Sequence, residues 1–344
     1  MNTFGRNFWV QVFGESHGEA IGVVVDGVKA GMPLCKEDFM EDIFRRKSGA
    51  KGTTPRIESD EPEFLSGVFE GHTTGAPLAI IFRNNNTRSS DYEALREVPR
   101  PGHADFTASV KWNGFNDPRG GGHFSGRLTL PLVAAGVIAK KQCRASLSEQ
   151  FGSNDISFQA GLKEIGGETD PSKWDALLEE TAREGDSLGG IVECRIDNVP
   201  AGLGNPFFDS VEALLSHAVF SIPGVRGIEF GDGFAAARMK GSEHNDPLML
   251  HSERPGLAPS GVQSAKNGAG GINGGITNGA PIVFRVAFKP TSSIAKTQKT
   301  LNIKTGETVS LNVPGRHDVC FALRTPVIVE AVAAIVLADL AYNI

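Results

Sequence analysis

Cysteine is scarce in this chain, and its 4 copies, Cys35, Cys143, Cys194 and Cys320, stand far apart. No CxxC pair occurs, which argues against a zinc site and a disulfide framework and makes reduced thiols in the cytoplasm the expectation. A cationic surplus is missing as well: 34 lysines and arginines face 40 aspartates and glutamates, a formal net charge of −6. With no basic run interleaved with aromatics either, a nucleic-acid-binding surface is excluded. Long apolar runs are absent. The longest, 326–341, is interrupted by Glu330 and Asp339 and is too short to span a bilayer. Met1 leads into Phe4, Arg6 and Trp9 with no signal-like segment. A Walker lysine, a GxGxxG turn after a first strand and βαβ alternation are all lacking, so P-loop and dinucleotide-binding folds fit poorly.

What is present is a chain of 344 residues, 40% hydrophobic, enough for a sizeable core. No Pro/Ser-rich linker and no internal repeat divides it, so a single domain over 1–344 is expected. Residues 128–143 and 326–341 are apolar on nearly every helical face, and a helix hydrophobic all round must be covered on all sides. Amphipathic helices are expected over 36–47, 173–183 and 209–219. Strand-like runs occupy 8–13, 21–25, 63–69, 78–83, 156–163, 189–198, 225–230, 233–239, 281–288 and 307–313. Strands in hairpin-like succession about two buried helices predict an α+β fold, the central helices sandwiched between antiparallel sheets.

Residues 99–127 show neither helical nor strand periodicity and read as one long functional loop. They gather Arg100, Lys111, Arg119, Arg127, His103 and His123 around the run Gly120-Gly121-Gly122. Glycine N–H groups can cradle an anion, and guanidinium groups bind carboxylate or phosphate in bidentate fashion. On an acidic protein this local positive charge predicts a small anionic ligand, with Arg100 and Arg127 on the loop rather than in the core. Elsewhere the turn Gly14-Glu15-Ser16-His17-Gly18 pushes a candidate acid or base, His17, out of flanking strands. Arg46 ends the first helix beside a small polar loop. Lys289-Pro290-Thr291-Ser292-Ser293 offers three hydroxyls behind a lysine, either a phosphate seat or a solvated turn. Gly315-Arg316-His317-Asp318 precedes the last helix, placing Arg324 and Asp318 at the core's edge, where buried charge needs a partner or a ligand.

Together, FGESHG at 13–18, Arg45-Arg46, SGVFEGHTT at 66–74, RPGHAD at 100–105, RGGG at 119–122, AGLG at 201–204, 270–276, KPTSS at 289–293 and Arg316–Asp318 resemble the chorismate synthase family over nearly the whole chain. That resemblance implies a carbon–oxygen lyase acting on phosphates. It would eliminate phosphate and a ring hydrogen 1,4 from 5-enolpyruvylshikimate 3-phosphate, giving chorismate, with reduced FMN and no net redox change. NADPH stands as a candidate reductant, and a cytoplasmic homotetramer is implied. By resemblance His17 protonates the departing phosphate, His103 the reduced flavin, and Asp318 works with the flavin in taking the ring hydrogen. Ser16, Arg46, Arg100 and Arg127 fall on substrate-binding positions. His123, Phe124, Ser125, Gly224, Gly274, Lys289, Pro290, Thr291, Ser292, Ser293 and Arg316 fall on cofactor-binding ones, with no metal. The chain reads RGGGHFSGRLT where many members read RGGGRSSARET, so His123 and Phe124 replace an arginine and a serine. Lys51-Gly52 stands where a further arginine is common.

Two other classes use the same residue types. A flavin-free phosphate lyase or phosphotransferase on a small anionic metabolite would need the same arginine and glycine loops. A non-catalytic anion-binding scaffold would explain the loops as surfaces, but not two histidines and an aspartate each set in a polar, glycine-flanked turn.

Overall fold

The computed structural model describes residues 1–54, 59–85, 95–151, 156–250, 262–313 and 317–341. One antiparallel sheet is built from β1 (Thr3–Phe4), β2 (Trp9–Gly14), β3 (Ala20–Asp26), β4 (Glu63–Ser66) and β5 (Leu78–Arg83), in the order β1-β2-β3-β5-β4. The other has β6 (Ser157–Ile165), β7 (Gly190–Asp197), β8 (Val225–Phe230) and β9 (Ile282–Phe288), in the order β8-β9-β7-β6, also antiparallel. β9 has the alternation of a strand covered on one face: Ile282, Phe284, Val286 and Phe288 are buried, while Arg285 pairs with Glu229.

The helices are α1 (Glu37–Arg46), α2 (Asp105–Lys111), α3 (Thr129–Phe151), α4 (Pro171–Glu184), α5 (Val211–Val219) and α6 (Pro326–Leu340). α3 lies on β2, β3 and β5, α6 lies on β6 and β7, and the two helices pack on each other. Both sheets and both helices feed one continuous apolar cluster. Gly136 allows the helix contact, since a Cβ there would stand 2.2 Å from that of Ala331. Pro326 opens α6 at a position where its missing N–H costs nothing. Glu330, buried in α6, takes hydrogen bonds from Arg45, Lys140 and the Ala160 N–H. Asp339 accepts from the N–H groups of Arg6, Asn7 and Phe8. Among the described residues no helix is long and apolar enough to cross a membrane, and no cluster of metal-ligating side chains occurs.

The central helices and antiparallel layers match the reading of the sequence, with local corrections. The segment 99–127 is not structureless: it contains α2, a kinked turn over Arg119–Phe124 whose three glycines leave helical geometry, and the start of the 3₁₀ turn Gly126–Leu128. Residues 233–239 are not a strand but a 3₁₀ turn, Gly233–Arg238, started where the Phe234 N–H donates to the Glu229 carboxylate. The run 63–69 breaks at Gly67, whose φ of +83° ends β4 before a short ribbon begins at Val68.

Candidate active site

A cavity of about 970 Å³ opens at one end of the sandwich, where residues before β2, the end of α1, residues 100–128, the end of α5, residues 289–293 and the start of α6 converge. That volume lies at the upper end of ordinary small-molecule sites. On one side, Gly120, Gly121 and Gly122 take φ values of +61°, +82° and +54°, a left-handed run that side chains resist. The run separates two histidines. A Cβ on Gly120 would stand 2.5 Å from His17 Nε2, and one on Gly121 would stand 3.4 Å from His103 Nε2. The Ser16 N–H donates to the Gly122 carbonyl at 3.1 Å, so the turn carrying Ser16 and His17 is fastened to the same run.

Asp105 organises the second histidine. Its carboxylate accepts from Arg100 Nε and Nη2, both at 2.7 Å, and from His103 Nδ1 at 2.6 Å. Burial pushes the Asp105 carboxyl up, but the hydrogen bonds from Arg100 and His103 outweigh it and hold it well below the usual carboxylate range. With Nδ1–H committed to Asp105, Nε2 is the His103 nitrogen left to exchange a proton. Arg100 also donates to Ser293 Oγ at 2.8 Å, joining this corner to the 289–293 segment.

The floor holds a guanidinium cluster. Arg46 donates from Nε to Thr129 Oγ1 at 3.0 Å and from Nη2 to the Gly126 carbonyl at 3.0 Å. Arg127 donates to Asp60 and, through Nε, to Asn84 Oδ1 at 3.0 Å. Arg324 lies 3.7 Å from Asp318, and its buried Nε has no partner. Burial foremost, then the like charges of Arg324 and Arg127, pull the Arg46 guanidinium down against the opposing pull of Asp60 and Asp318. Because an arginine does not surrender its proton, this environment is one short of negative charge. Lys289, bonded to Ser292 Oγ at 2.7 Å, is lowered by burial and then by Arg226. Arg46, Arg100, Arg127, Arg324 and Lys289 thus line one cavity with the carboxylates of Asp60 and Asp318, while Asp105 pairs with Arg100.

The cavity wall brings together His103, Asp318, Arg46, Arg100, Arg127, His123, Phe124, Ser125, Gly224 and residues 289–293, as the sequence suggested. Asp318 Oδ1 accepts from the Thr54 N–H at 2.8 Å, and its carbonyl accepts from Thr291 Oγ1 at 2.9 Å. Ser16 and His17 sit directly behind Gly120 rather than on the wall. Gly274 lies outside the wall, at the open tip of the hairpin Ile272–Thr277 beside α5. Arg316 falls outside the described residues. Arg100 lies outside any helix or strand and Arg127 in the turn Gly126–Leu128, but at 6% and 8% exposed both are buried, which corrects the expectation that they stand clear of the core. Sequence reasoning also passed over Asp60, Asp105 and His317. The spacing of Asp105 from His103 was a usable signal; Asp60 offered none, since its partner Arg127 is 67 positions away. His317, on the wall, keeps a buried and unpartnered Nε2. Burial and then Arg100 lower its pKa, opposed by Asp318 and a hydrogen bond to the Val313 backbone.

Two antiparallel sheets clasping buried helices, with a cavity whose wall includes Arg46, Arg100, Arg127, Arg324 and Lys289, define an α+β protein with a small-molecule site. The family model for chorismate synthase matches residues 8–342, and the chain belongs to that family. A chorismate synthase of Chitinophaga pinensis is 61% identical over 339 residues, covering 98% of this chain and 96% of the relative. One from Korarchaeum cryptofilum is 45% identical over 361 residues, with 98% and 96% covered. A solved structure described as the crystal structure of chorismate synthase superposes with a TM-score of 0.71 at 27% identity, covering 98% of this chain and 92% of that one. Membership makes the chain a lyase of the shikimate pathway and of aromatic amino-acid biosynthesis, in a family that depends on flavin.

Proposed function

We propose that this chain eliminates phosphate and a ring hydrogen from 5-enolpyruvylshikimate 3-phosphate to form chorismate, with reduced FMN as cofactor. The observation that carries the reading is the Arg46–Arg127–Arg324 cluster, whose buried Arg324 Nε lacks a partner on the wall of the same cavity as the 289–293 segment. A substrate with two carboxylates and a phosphate supplies the negative charge this cluster lacks, and desolvating it requires several fixed cations. Arg46, Arg100 and Arg127 hold those groups from the wall, and Ser16 backs them from behind Gly120. Ser125, Gly224, Lys289, Pro290, Thr291, Ser292, Ser293 and Arg316 hold the flavin, with His123 and Phe124 as wall; Gly274, read as a cofactor position by resemblance, lies outside that wall. Reduced flavin supplies an electron that is lent and recovered, so the reaction needs no net oxidant. His17 delivers a proton to the departing phosphate and His103 holds one at Nε2 for the cofactor. Asp318, anchored by the Thr54 N–H, assists removal of the ring hydrogen.

In anaerobic single turnover, pre-reduced FMN, 5-enolpyruvylshikimate 3-phosphate and this protein should release phosphate and form chorismate. Phosphate release at the same rate without flavin would replace this reading by the flavin-free lyase or phosphotransferase; NADPH in place of the chemical reductant tests whether the protein reduces its own flavin. We also infer a single folding unit over 1–344 working as a cytoplasmic homotetramer. Phe115, Phe207, Phe208 and Phe234 are 92%, 86%, 91% and 79% exposed, more aromatic surface than a lone subunit usually leaves in water. Sedimentation equilibrium reads the oligomer directly.

A further inference from the structure

His123 ties three parts of the site together. Its Nδ1–H donates to the Gly14 carbonyl at 2.8 Å, and its Nε2 lies 3.1 Å from the Asn2 side-chain amide. A carbonyl only accepts, so Nδ1 carries a proton, while the Asn2 amide can turn either its oxygen or its N–H toward Nε2. Both ring nitrogens are therefore committed to protein atoms, and neither is left to contact a bound anion. Gly14 is the last residue of β2 and starts the turn bearing Ser16 and His17. That turn meets the glycine run at two other points, the Ser16 N–H on the Gly122 carbonyl and the His17 ring on Gly120. Both use glycine backbone. His123 adds a side-chain tether within the same run.

Asn2 belongs to a second element. Its carbonyl accepts from the Val12 N–H at 3.0 Å, and Met1, Asn2, Thr3 and Phe4 form part of the cavity wall. β1 is 2 residues long, too short for its ladder to hold a chain end firmly. Phe4 packs edge-on against His217, with ring centroids 5.4 Å apart, and His123 supplies the polar tie.

We propose that His123 is a positioning residue: it fixes the turn that carries Ser16 and His17 behind the glycine run and, through Asn2, holds the N-terminal segment as the lip of the cavity. The inference rests on the function proposed above, but its two tethers can be read without turnover. Amide hydrogen exchange of the full-length protein is compared for wild type, Asn2→Ala, His123→Asn and His123→Phe. Asn2→Ala should speed exchange at 1–4 alone, and His123→Phe at both 1–4 and 14–18. His123→Asn, which keeps a donor near the Nδ1 position but cannot reach Asn2, should protect 14–18 and leave 1–4 loose.

In single turnover, His123→Phe should slow the step by about 10- to 100-fold, the scale of a roughly 1 Å misplacement. Its substrate and FMN affinities should stay within about threefold, below the loss expected for a direct contact to a charged group. His123→Asn should recover most of the rate. Unchanged exchange at 14–18 in His123→Phe overturns the proposal. So does a loss of affinity of tenfold or more with a normal rate from the bound state, which would make His123 a ligand contact. If His123→Phe loosens the whole core, His123→Asn decides: protection at 14–18 with a near-normal rate upholds the tether, and loss of both overturns it. A wild type that turns over nothing removes the proposed function, while the exchange pattern still upholds or overturns the two tethers.

Discussion

His103 donates from Nδ1 to Asp105 at 2.6 Å, and this bond fixes the ring that stands against Gly121 on one wall of the cavity. The same carboxylate clamps Arg100 through Nε, Nη2 and the backbone N–H. Because the folded-state pKa of Asp105 is depressed, its contribution to stability is full above the ordinary carboxylate value of about 3.9 and fades as pH falls toward the lower folded value. Asp105→Asn should cost about 3 kcal/mol at neutral pH, the scale of breaking a buried ion pair. The gap to wild type should narrow as pH falls below about 4. Urea midpoints from pH 7 to 2 measure it; a gap that widens in acid contradicts the assignment.

Arg46 and Arg127 bind within the protein as well as facing the cavity, so their loss should appear twice. Arg46→Ala and Arg127→Ala should each destabilise by about 2–4 kcal/mol, within the range for stripping a buried hydrogen-bonded network. Both should also weaken substrate binding. Arg119, 46% exposed and paired with Asp117, serves as the contrast. Arg119→Ala should stay within about 0.5 kcal/mol of wild type. Thermal melts with and without substrate separate the two effects, and an Arg127→Ala variant of normal stability would show that its pairing with Asp60 contributes little.

Much of the framework was legible because it follows period and polarity. α6 is apolar on every face and is buried on every face, and β9 alternates in sequence as it does in burial. α2 escaped notice because its 7 residues carry only Phe106 and Val110 as large apolar side chains, too few to mark a stripe, and in the fold both are exposed. The run Gly233–Arg238 looks like a strand by composition, but one side-chain hydrogen bond from a residue of β8 converts it to a turn. In the site, residue types were legible and relationships were not. GESHG and RGGG could each be named, yet only the fold puts His17 behind Gly120 and His103 against Gly121. Asp60, 67 positions from Arg127, carries no local signal at all.

The thiols give a direct check on burial. Cys35 is exposed, whereas Cys143, Cys194 and Cys320 are buried. Burial raises the Cys143 and Cys194 thiols far above their usual range and brings Cys320 up to about 11. At pH 8 a thiol reagent should label Cys35 first, although a hydrogen bond with Glu37 raises its thiol as well, and the other three only after unfolding, since the thiolate is the reactive form. Mass mapping of the labelled peptides reads this, and fast native labelling of Cys194 would contradict the covered face of β7.

Glu330 is the balancing anion of the core, 1% exposed and shared by Arg45 and Lys140. Its hydrogen bond is the foremost reason that the Arg45 guanidinium is raised, with burial opposing. Glu330→Gln leaves Arg45 and Lys140 with Asp42 as their remaining carboxylate and should cost about 2–3 kcal/mol, less than an unshared buried pair. FMN affinity, read in the variant that still folds, should stay near wild type because none of these three groups lines the cavity. Denaturant midpoints and flavin titration test both halves; a large loss of flavin affinity at normal stability would connect the core network to the site.

Gly120 offers the sharpest test of the site's geometry. An alanine there adds a Cβ 2.5 Å from His17 Cδ2 and Nε2 and 2.8 Å from Ser16 Oγ, at a φ of +61°. The left-handed conformation alone costs an L residue roughly 1–2 kcal/mol. The overlap is with side chains, so the fold can survive by rotating the His17 ring away. Gly114 supplies the control: its φ is +78°, but nothing lies within 4 Å of a Cβ there. Gly114→Ala should carry the same backbone cost with an unchanged rate. Gly120→Ala should lose a similar amount of stability and, in addition, slow single turnover by about 10- to 100-fold through misplacement of His17 and Ser16. Flavin affinity should hold within about threefold in both, well short of losing a charged contact. Equal rates in the two variants would mean that the His17 ring does not depend on Gly120, and the proton donor would have to be sought among the residues that line the cavity directly.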